Sequence, residues 1–358
     1  MLSIDTLAGV WEKAWPILLA ILFFGFIIFS HELGHFSFAR LFKVKINEFA
    51  MGMGPAIFKI KGKQTKYSLR IFPIGGYVSM EGEDEESDDD QAFCRKSAWK
   101  RFIIVCAGAV INITMGAVIL AILISQQDLV GTTQIHSFDE GSQLEATGLR
   151  AGDVITRING RYVFSDTDLS YLMFTDDDGA LDITVKRDGE KVDLKGVRFT
   201  TVEENGVEKI KFDMTILGVD KTFATVGSCA VKQTVSVARM VWMSLGDMIS
   251  GKYGLKDLSG PVGTVGVIAD IAEESTKKTD YSSLLNIMAF ISINIGVFNL
   301  LPIPALDGGR LLFILIEMIF RKRVPAKYEN WVHGIAMVLL LVFMALITFS
   351  DIFKLIKG

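Results

Sequence analysis

His31 and His35 stand four residues apart in the segment His31-Glu32-Leu33-Gly34-His35. On a helix this spacing puts both imidazoles on one face, one turn apart, where they can grip a single metal ion. Glu32 projects beside them and can take a proton from a metal-bound water. Zinc suits such a site, because catalytic zinc takes three protein ligands and leaves a fourth position for water. The chain has only four histidines, and two of them fall in these five residues. An uncharged run from Ala14 to Ser30 leads directly into His31, so the motif is expected inside an apolar span. A polar kink in a helix bundle is the bland alternative. It would leave Glu32 buried without a metal or partner, which is costly.

A third ligand must come from elsewhere. Asp307 is the best candidate. It ends an uncharged stretch that begins at Tyr281, and Pro302 and Pro304 break the helix just before it. Irregular backbone at membrane depth is tolerated where it lines a cavity or is buried in protein. Asp307 as a simple cap for the helix beginning at Gly308 is the competing reading. His333 is a rival ligand, although its place at the start of an apolar segment suits an interfacial side chain. His136 lies far from the motif.

The elements that must position these groups are legible from hydropathy. Half of the 358 residues are hydrophobic. Four uncharged apolar segments stand out, at 14–30, 102–127, 281–306 and 334–350. A bilayer-crossing helix needs roughly 20 apolar residues; the first segment reaches that length if it continues through Phe38, and the last gains Trp331 and Val332 as an interfacial anchor. Residues 1–12 carry Asp5 and Glu12 and no Lys or Arg, so a retained span is expected rather than a cleaved signal. Basic residues crowd the loop after the first segment (Arg40, Lys43, Lys45, Lys59, Arg95, Lys100) and the loop before the fourth (Arg310, Arg321, Lys322, Arg323, Lys327). Both loops are expected in the cytoplasm, with the N-terminus, residues 128–280 and the C-terminus outside. The net charge of −4 gives no reason to expect nucleic acid as a partner. Three widely spaced cysteines make neither a disulfide framework nor a metal cluster.

Residues 130–220 alternate in the strand manner, with turns at Asn159-Gly160 and at Arg187-Asp188-Gly189-Glu190 and a helix over 165–174 capped by Ser165 or Asp166. Residues 222–250 have helical periodicity, with Val231, Val235, Ala238, Trp242 and Leu245 on one face; the helix either lies on the membrane surface or packs on the outer domain. The acidic run at 81–90 reads as a solvated loop.

Taken together the chain resembles the site-2 protease family of intramembrane zinc metalloproteases, in particular the bacterial regulator-of-sigma-factor proteases with a single PDZ domain. The resemblance spans nearly the whole chain. It is carried by the His31–His35 motif, by the stretch from Asn299 to Gly309, and by Met51-Gly52-Met53-Gly54-Pro55, Gly75-Gly76-Tyr77-Val78, Asn112 and Ser259-Gly260-Pro261-Val262-Gly263. It implies an α-helical polytopic membrane protein of the bacterial cell membrane, with four transmembrane helices, a reentrant β-structure and one inserted extracytoplasmic PDZ-like α+β domain. The implied layout is a first transmembrane helix over 1–39, a cytoplasmic or reentrant β region with the acidic loop over 40–101, and a second transmembrane helix over 102–127. The PDZ-like domain follows over 128–221, then an amphipathic helix and linker over 222–280, a third transmembrane helix broken before Asp307 over 281–320, and a fourth with a tail over 321–358. His31, His35 and Asp307 would hold one Zn2+ per chain, towards the cytoplasmic side, and Glu32 would be the general base. Asn299 would contact the substrate backbone or the developing oxyanion. Tyr77 and Val78 would lie near a sheet edge able to pair with an unwound substrate strand, and Asn112, Pro302 and Pro304 would complete the substrate site. Partners would be the lipid bilayer and transmembrane protein substrates already trimmed by another protease. The chain departs from the family pattern at Ala109, where Pro is common, and at Ser79, where Lys is common. A catalytically silent adaptor that holds partners through its PDZ domain is the rival reading, and a metal transporter is another; neither needs a base at Glu32.

Overall fold

The computed structural model describes residues 4–176, 179–204, 207–251 and 260–357. Two compact units divide the chain. One comprises Met1–Gly116 with Val241–Gly358, and the other Ala117–Met240.

In the first unit, helix α1 (Ile4–Leu41) leads into two long strands, β1 (Ile46–Lys61) and β2 (Lys66–Met80), followed by α2 (Ala98–Gln126), whose last residues belong to the second unit. β1 and β2 run antiparallel with many irregularities. Glu48–Met51 stand between two stretches of β2, opposite Lys66–Leu69 and again opposite Gly76–Ser79. The chain can fold back on itself this way because Gly52, Gly54 and Gly75 adopt positive φ (82°, 84° and 80°), which costs glycine little. Among the described residues, no strand pairs with the other side of Gly76–Met80.

The second unit is built on antiparallel strands β3 (Leu129–Phe138), β4 (Val154–Ile158), β5 (Arg161–Tyr162), β6 (Ala180–Arg187), β7 (Glu190–Arg198), β8 (Thr201–Glu204), β9 (Val207–Ile210) and β10 (Met214–Asp220), with helix α3 (Asp166–Phe174) inserted after β5. The main sheet has the order β10-β3-β4-β6-β7, β5 pairs with β4, and β8 and β9 form a separate ribbon. Alternation along β6 buries Leu181, Ile183 and Val185, as expected of a half-buried strand. Asn159-Gly160 and Asp188-Gly189 form the two tight turns, all four residues at positive φ. Ser165 caps α3 by accepting the Asp168 amide hydrogen bond. Helix α4 (Phe223–Ile249) begins in this unit. Ser236 Oγ donates to buried Asp168 at 2.6 Å, Gln233 donates to Asp166, and Arg239 donates to the Tyr162 carbonyl. That length of α4 therefore packs on the sheet domain, while Val231, Val235 and Trp242 stay exposed.

Returning to the first unit, α5 (Pro261–Lys278), α6 (Ser282–Leu300), α7 (Asp307–Phe320) and α8 (Ala326–Lys357) complete the chain. The stretch expected as a linker thus contains a helix. α5 buries Ile268 and Ala272 against Ala20, Phe23 and Ile27 of α1. Its start is bound by buried Asp351 of α8, which accepts the Gly263 amide at 2.9 Å. Ser259 of the Ser259–Gly263 stretch lies outside the described residues.

Four helical segments are long and apolar enough to cross a membrane: Ala14–Leu41, Ala98–Gln126, Ser282–Leu300 and Ala326–Lys354. α2 and α6 approach closely through small residues. A Cβ on Gly296 would lie 2.8 Å from the Ala109 carbonyl, and one on Gly116 would lie 2.9 Å from the Ala289 carbonyl. Small residues at a membrane helix crossing allow the backbones this proximity. Ser292 adds a hydrogen bond to the Asn112 carbonyl at 2.7 Å. A core of Ala39, Ile46, Phe49, Val78, Ile104, Val105, Leu311 and Ile314 fixes the end of α1, the strands, α2 and α7 to one another.

Candidate metal centre

The motif helix forms because the run from Ala14 is apolar and, apart from Pro16, free of breakers; it carries the motif in its second half. His31 and His35 are both buried and lie one turn apart, ring centroids 4.8 Å from each other. The break between α6 and α7 turns Asp307 towards them. Asp307 Oδ2 lies 3.0 Å from His31 Nε2 and 3.2 Å from His35 Nε2, and the two Nε2 atoms are 3.2 Å apart.

This triangle fits a cation. His35 Nδ1 donates to the Ile104 carbonyl at 2.9 Å, so in the neutral ring the bare lone pair is on Nε2, facing the carboxylate. Such an orienting bond is usual for a metal-bound histidine. Asp307 Oδ2 is buried and has no hydrogen-bond partner among the described residues. Converging lone pairs repel unless a positive charge lies between them. Tetrahedral zinc, with bonds of roughly 2.0–2.1 Å, sets its ligand atoms about 3.3 Å apart, close to the spacing observed. The donor set, two imidazoles and a carboxylate, is one that zinc favours.

Three glycines make the space, and none was singled out in the sequence as part of the metal centre. A Cβ on Gly34 would lie 2.6 Å from the Ala107 carbonyl, so α1 and α2 touch at backbone distance inside the motif itself. A Cβ on Gly108 would lie 2.4 Å from His35 Nε2 and 2.8 Å from His31 Cε1. Gly76 of β2 does the same for the carboxylate side chain: a Cβ there would lie 3.0 Å from Glu32 Cγ. Glu32 is therefore held between its own helix and the Gly76–Met80 stretch.

The remaining expected site residues divide. Val78 is buried in the core, leaving its backbone as the group at the strand edge. Tyr77 is partly buried, and its hydroxyl accepts from Arg70, whose guanidinium lies over the ring at 5.1 Å. Asn112 is fully buried, with neither side-chain amide atom partnered among the described residues. Asn299 occupies the last turn of α6 and is half-buried. Pro302 is exposed and Pro304 half-buried in the break that precedes Asp307. His333 is not among the three converging groups: its Nδ1 accepts the Ala305 amide at 3.0 Å.

The acidic run is not wholly a solvated loop. Glu83 and Asp84 both accept from Arg310, three residues beyond Asp307, and the Asp84 bond is 2.6 Å. Glu83 also accepts the Met80 amide at 3.2 Å. The other end of α7 is tied by Glu317 to buried Arg101 of α2 at 2.5 Å. The alternating positions of these charges in the sequence give no sign of such pairing.

Residues 19–343 match the family model described as Peptidase family M50. A Clostridium acetobutylicum protein named as a zinc metalloprotease is 36% identical over 337 residues, covering 94% of this chain and 97% of the relative. The regulator of sigma-W protease RasP of Bacillus subtilis is 28% identical over 418 residues, with 94% and 98% covered. The zinc metalloprotease RasP of Bacillus licheniformis is 29% identical over 420 residues, with the same coverage.

Proposed function

From the premise that the chain belongs to peptidase family M50, the site-2 protease family, we propose that it cuts peptide bonds within transmembrane segments, with His31, His35 and Asp307 holding zinc and Glu32 acting as general base. The protein is a zinc metalloprotease and a multi-pass membrane protein. The observation that carries the site assignment is the meeting of three lone-pair donors, within 3.2 Å of one another, from the first helix and from the break before α7.

When bound, zinc supplies a Lewis acid that polarises the scissile carbonyl and makes water more acidic. His35 is oriented for this by its bond to Ile104. Glu32 accepts the proton of the attacking water and passes it to the leaving nitrogen. A helical substrate hides its amides in hydrogen bonds and must unwind to be cut. The Gly76–Met80 edge receives the unwound strand by backbone pairing, which suits an arrangement in which Val78 faces the core and Tyr77 is bound to Arg70. Asn299 contacts the substrate backbone or the developing oxyanion, and Asn112, Pro302 and Pro304 line the approach. The sheet domain of residues 128–221 is PDZ-like and meets substrates that another protease has already trimmed. This enzyme makes the second cut of regulated intramembrane proteolysis, on an anti-sigma factor or a signal-peptide-like segment.

Glu32→Gln tests the reading. The variant is expected to keep its zinc while cleavage of a reporter transmembrane peptide falls by about 10²–10⁴-fold, the usual contribution of a general base. A variant that cuts at the parent rate would overturn the role of Glu32. In the same assay Asp307→Ala is expected to lose zinc; unchanged occupancy would point to another third ligand.

A further inference from the structure

We propose that His333 is a positioning residue for the metal centre, holding the break between α6 and α7 in the one conformation that brings Asp307 to the two histidines. The proposal rests on the reading of Asp307 as a zinc ligand. His333 is on α8, far along the chain from the motif, and its ring meets the break at two points. Its Nδ1 accepts the amide of Ala305 at 3.0 Å. Its Cε1 stands where a Cβ on Gly309 would lie 3.0 Å away. Ala305 and Gly309 are each two residues from Asp307, one on either side, so the ring braces both flanks of the carboxylate.

Ala305 needs the brace. Its φ is +81°, in the left-handed region that L side chains avoid. Among the described residues the backbone bonds within the break are local: Ile303 N–H to the Leu301 carbonyl at 2.6 Å, Leu306 N–H to the Ile303 carbonyl at 3.2 Å, and Gly309 N–H to the Leu306 carbonyl at 3.1 Å. None of these fixes Ala305 itself. The His333 bond does, and it comes from a different helix. It also sets the tautomer. Because Nδ1 accepts, the neutral ring carries its proton on Nε2, which is buried and without a partner among the described residues. A buried donor left unsatisfied is a cost, and it is borne on a side chain that reaches the break from another helix. The ring also lies 5.9 Å from that of Phe313 on α7, a contact that His333→Phe can keep, while its neighbours on α8, Trp331, Val332 and Ile335, are exposed and apolar.

The test uses the full-length protein in detergent, in four forms: parent, His333→Phe, His333→Asn and Asp307→Ala. Phe keeps a ring and removes the acceptor. Asn keeps an acceptor within reach of the Ala305 amide. Zinc content is measured by mass spectrometry across a chelator series, kcat and KM on a fluorogenic transmembrane peptide, and folding by thermal melting. His333→Phe is expected to lose zinc at a chelator concentration about 10–100-fold lower than the parent, the usual effect of removing an orienting partner. Its kcat should fall while KM stays within about twofold, and His333→Asn should restore most of the zinc retention. Parent-like zinc retention in a folded His333→Phe protein, alongside zinc loss in Asp307→Ala, overturns the role of His333 alone. Parent-like retention in Asp307→Ala overturns the ligand reading beneath it. Where His333→Phe does not fold, His333→Asn is compared with His333→Gln, whose acceptor sits one methylene further out. Better retention by Asn supports the bond to Ala305; equal or reversed retention overturns it.

Discussion

At the scale of single residues, the candidate metal centre depends as much on missing side chains as on the proposed ligands. Gly108 and Gly34 face different neighbours, and their substitutions should fail differently. Gly108→Ala would drive a methyl group into His35 Nε2 at 2.4 Å. We expect zinc affinity to fall at least about tenfold by chelator competition, as when a ligand loses its orientation. Gly34→Ala would meet the Ala107 backbone at 2.6 Å, which cannot rotate away. It should instead separate α1 from α2, at about 1–3 kcal/mol in thermal unfolding. The reverse pattern, with Gly34→Ala stable and Gly108→Ala fully metallated, would contradict this account. The proposed site residues His31, Glu32 and His35 were legible in the sequence because two of its four histidines flank Glu32 at a meaningful spacing. Gly34 was visible in the motif and Gly108 in a small-residue run, but their tasks depend on which faces of α1 and α2 meet. No local pattern encodes that.

At the scale of elements, the ties that hold α7 are long-range and polar. Arg310 binds Glu83 and Asp84, and Glu317 binds Arg101. Removing one partner of a half-buried pair strands the other charge. Arg310→Met is therefore expected to destabilise by about 2 kcal/mol, discounted for the pair's partial exposure. Adding Glu83→Gln should recover at least half of that, since the half-buried charge of Glu83 is then gone and only the exposed Asp84 is left without Arg310; a double variant less stable than the single one would show that the pairing is not the cause. Glu48 gives the strands a pH dependence. Burial raises its pKa, but bonds from Ser68, Arg70 and Lys66 outweigh that and hold it at about 2. A lowered carboxylate pKa contributes stability that is complete above the unfolded value near 4.5 and is lost as pH falls towards 2. Amide protection in β1 and β2, taken relative to the intrinsic exchange rate at each pH, should accordingly fall over that window, and Glu48→Gln should flatten the change. The sheet domain's tight turns were legible because Asn-Gly and Asp-Gly pairs impose their geometry locally. A β-structure in this region was expected only through a family resemblance, and the pairing of β1 with two stretches of β2 was not expected, because its register follows glycine-borne irregularities rather than alternation.

At the scale of the whole molecule, hydropathy alone marked four apolar spans, and the structure has four helical segments that meet the same requirement. It did not show that residues 261–278 form another helix against α1, because α5 mixes Asp270, Glu273 and Glu274 with its apolar residues. Orientation is a separate matter, proposed from the basic loops. An exposed cysteine placed at Glu140 should react with an impermeant maleimide on intact cells, and one at Lys59 only after permeabilisation, in a background with the native cysteines replaced. The opposite result would invert the topology.

The carboxylate of the triangle reaches the two histidines from almost the far end of the polypeptide. A ribosome inserting this chain would complete the histidine helix early and have no third donor until the broken segment after α6 emerges. Throughout most of its synthesis the protein would carry an apolar helix with two unsatisfied imidazoles and a glutamate, unable to cut anything. On the proposed ligand set, a chain that stalls before the break would be a bystander in the membrane rather than an unregulated protease, so the order of the elements would delay activity until the segment after α6 is in place.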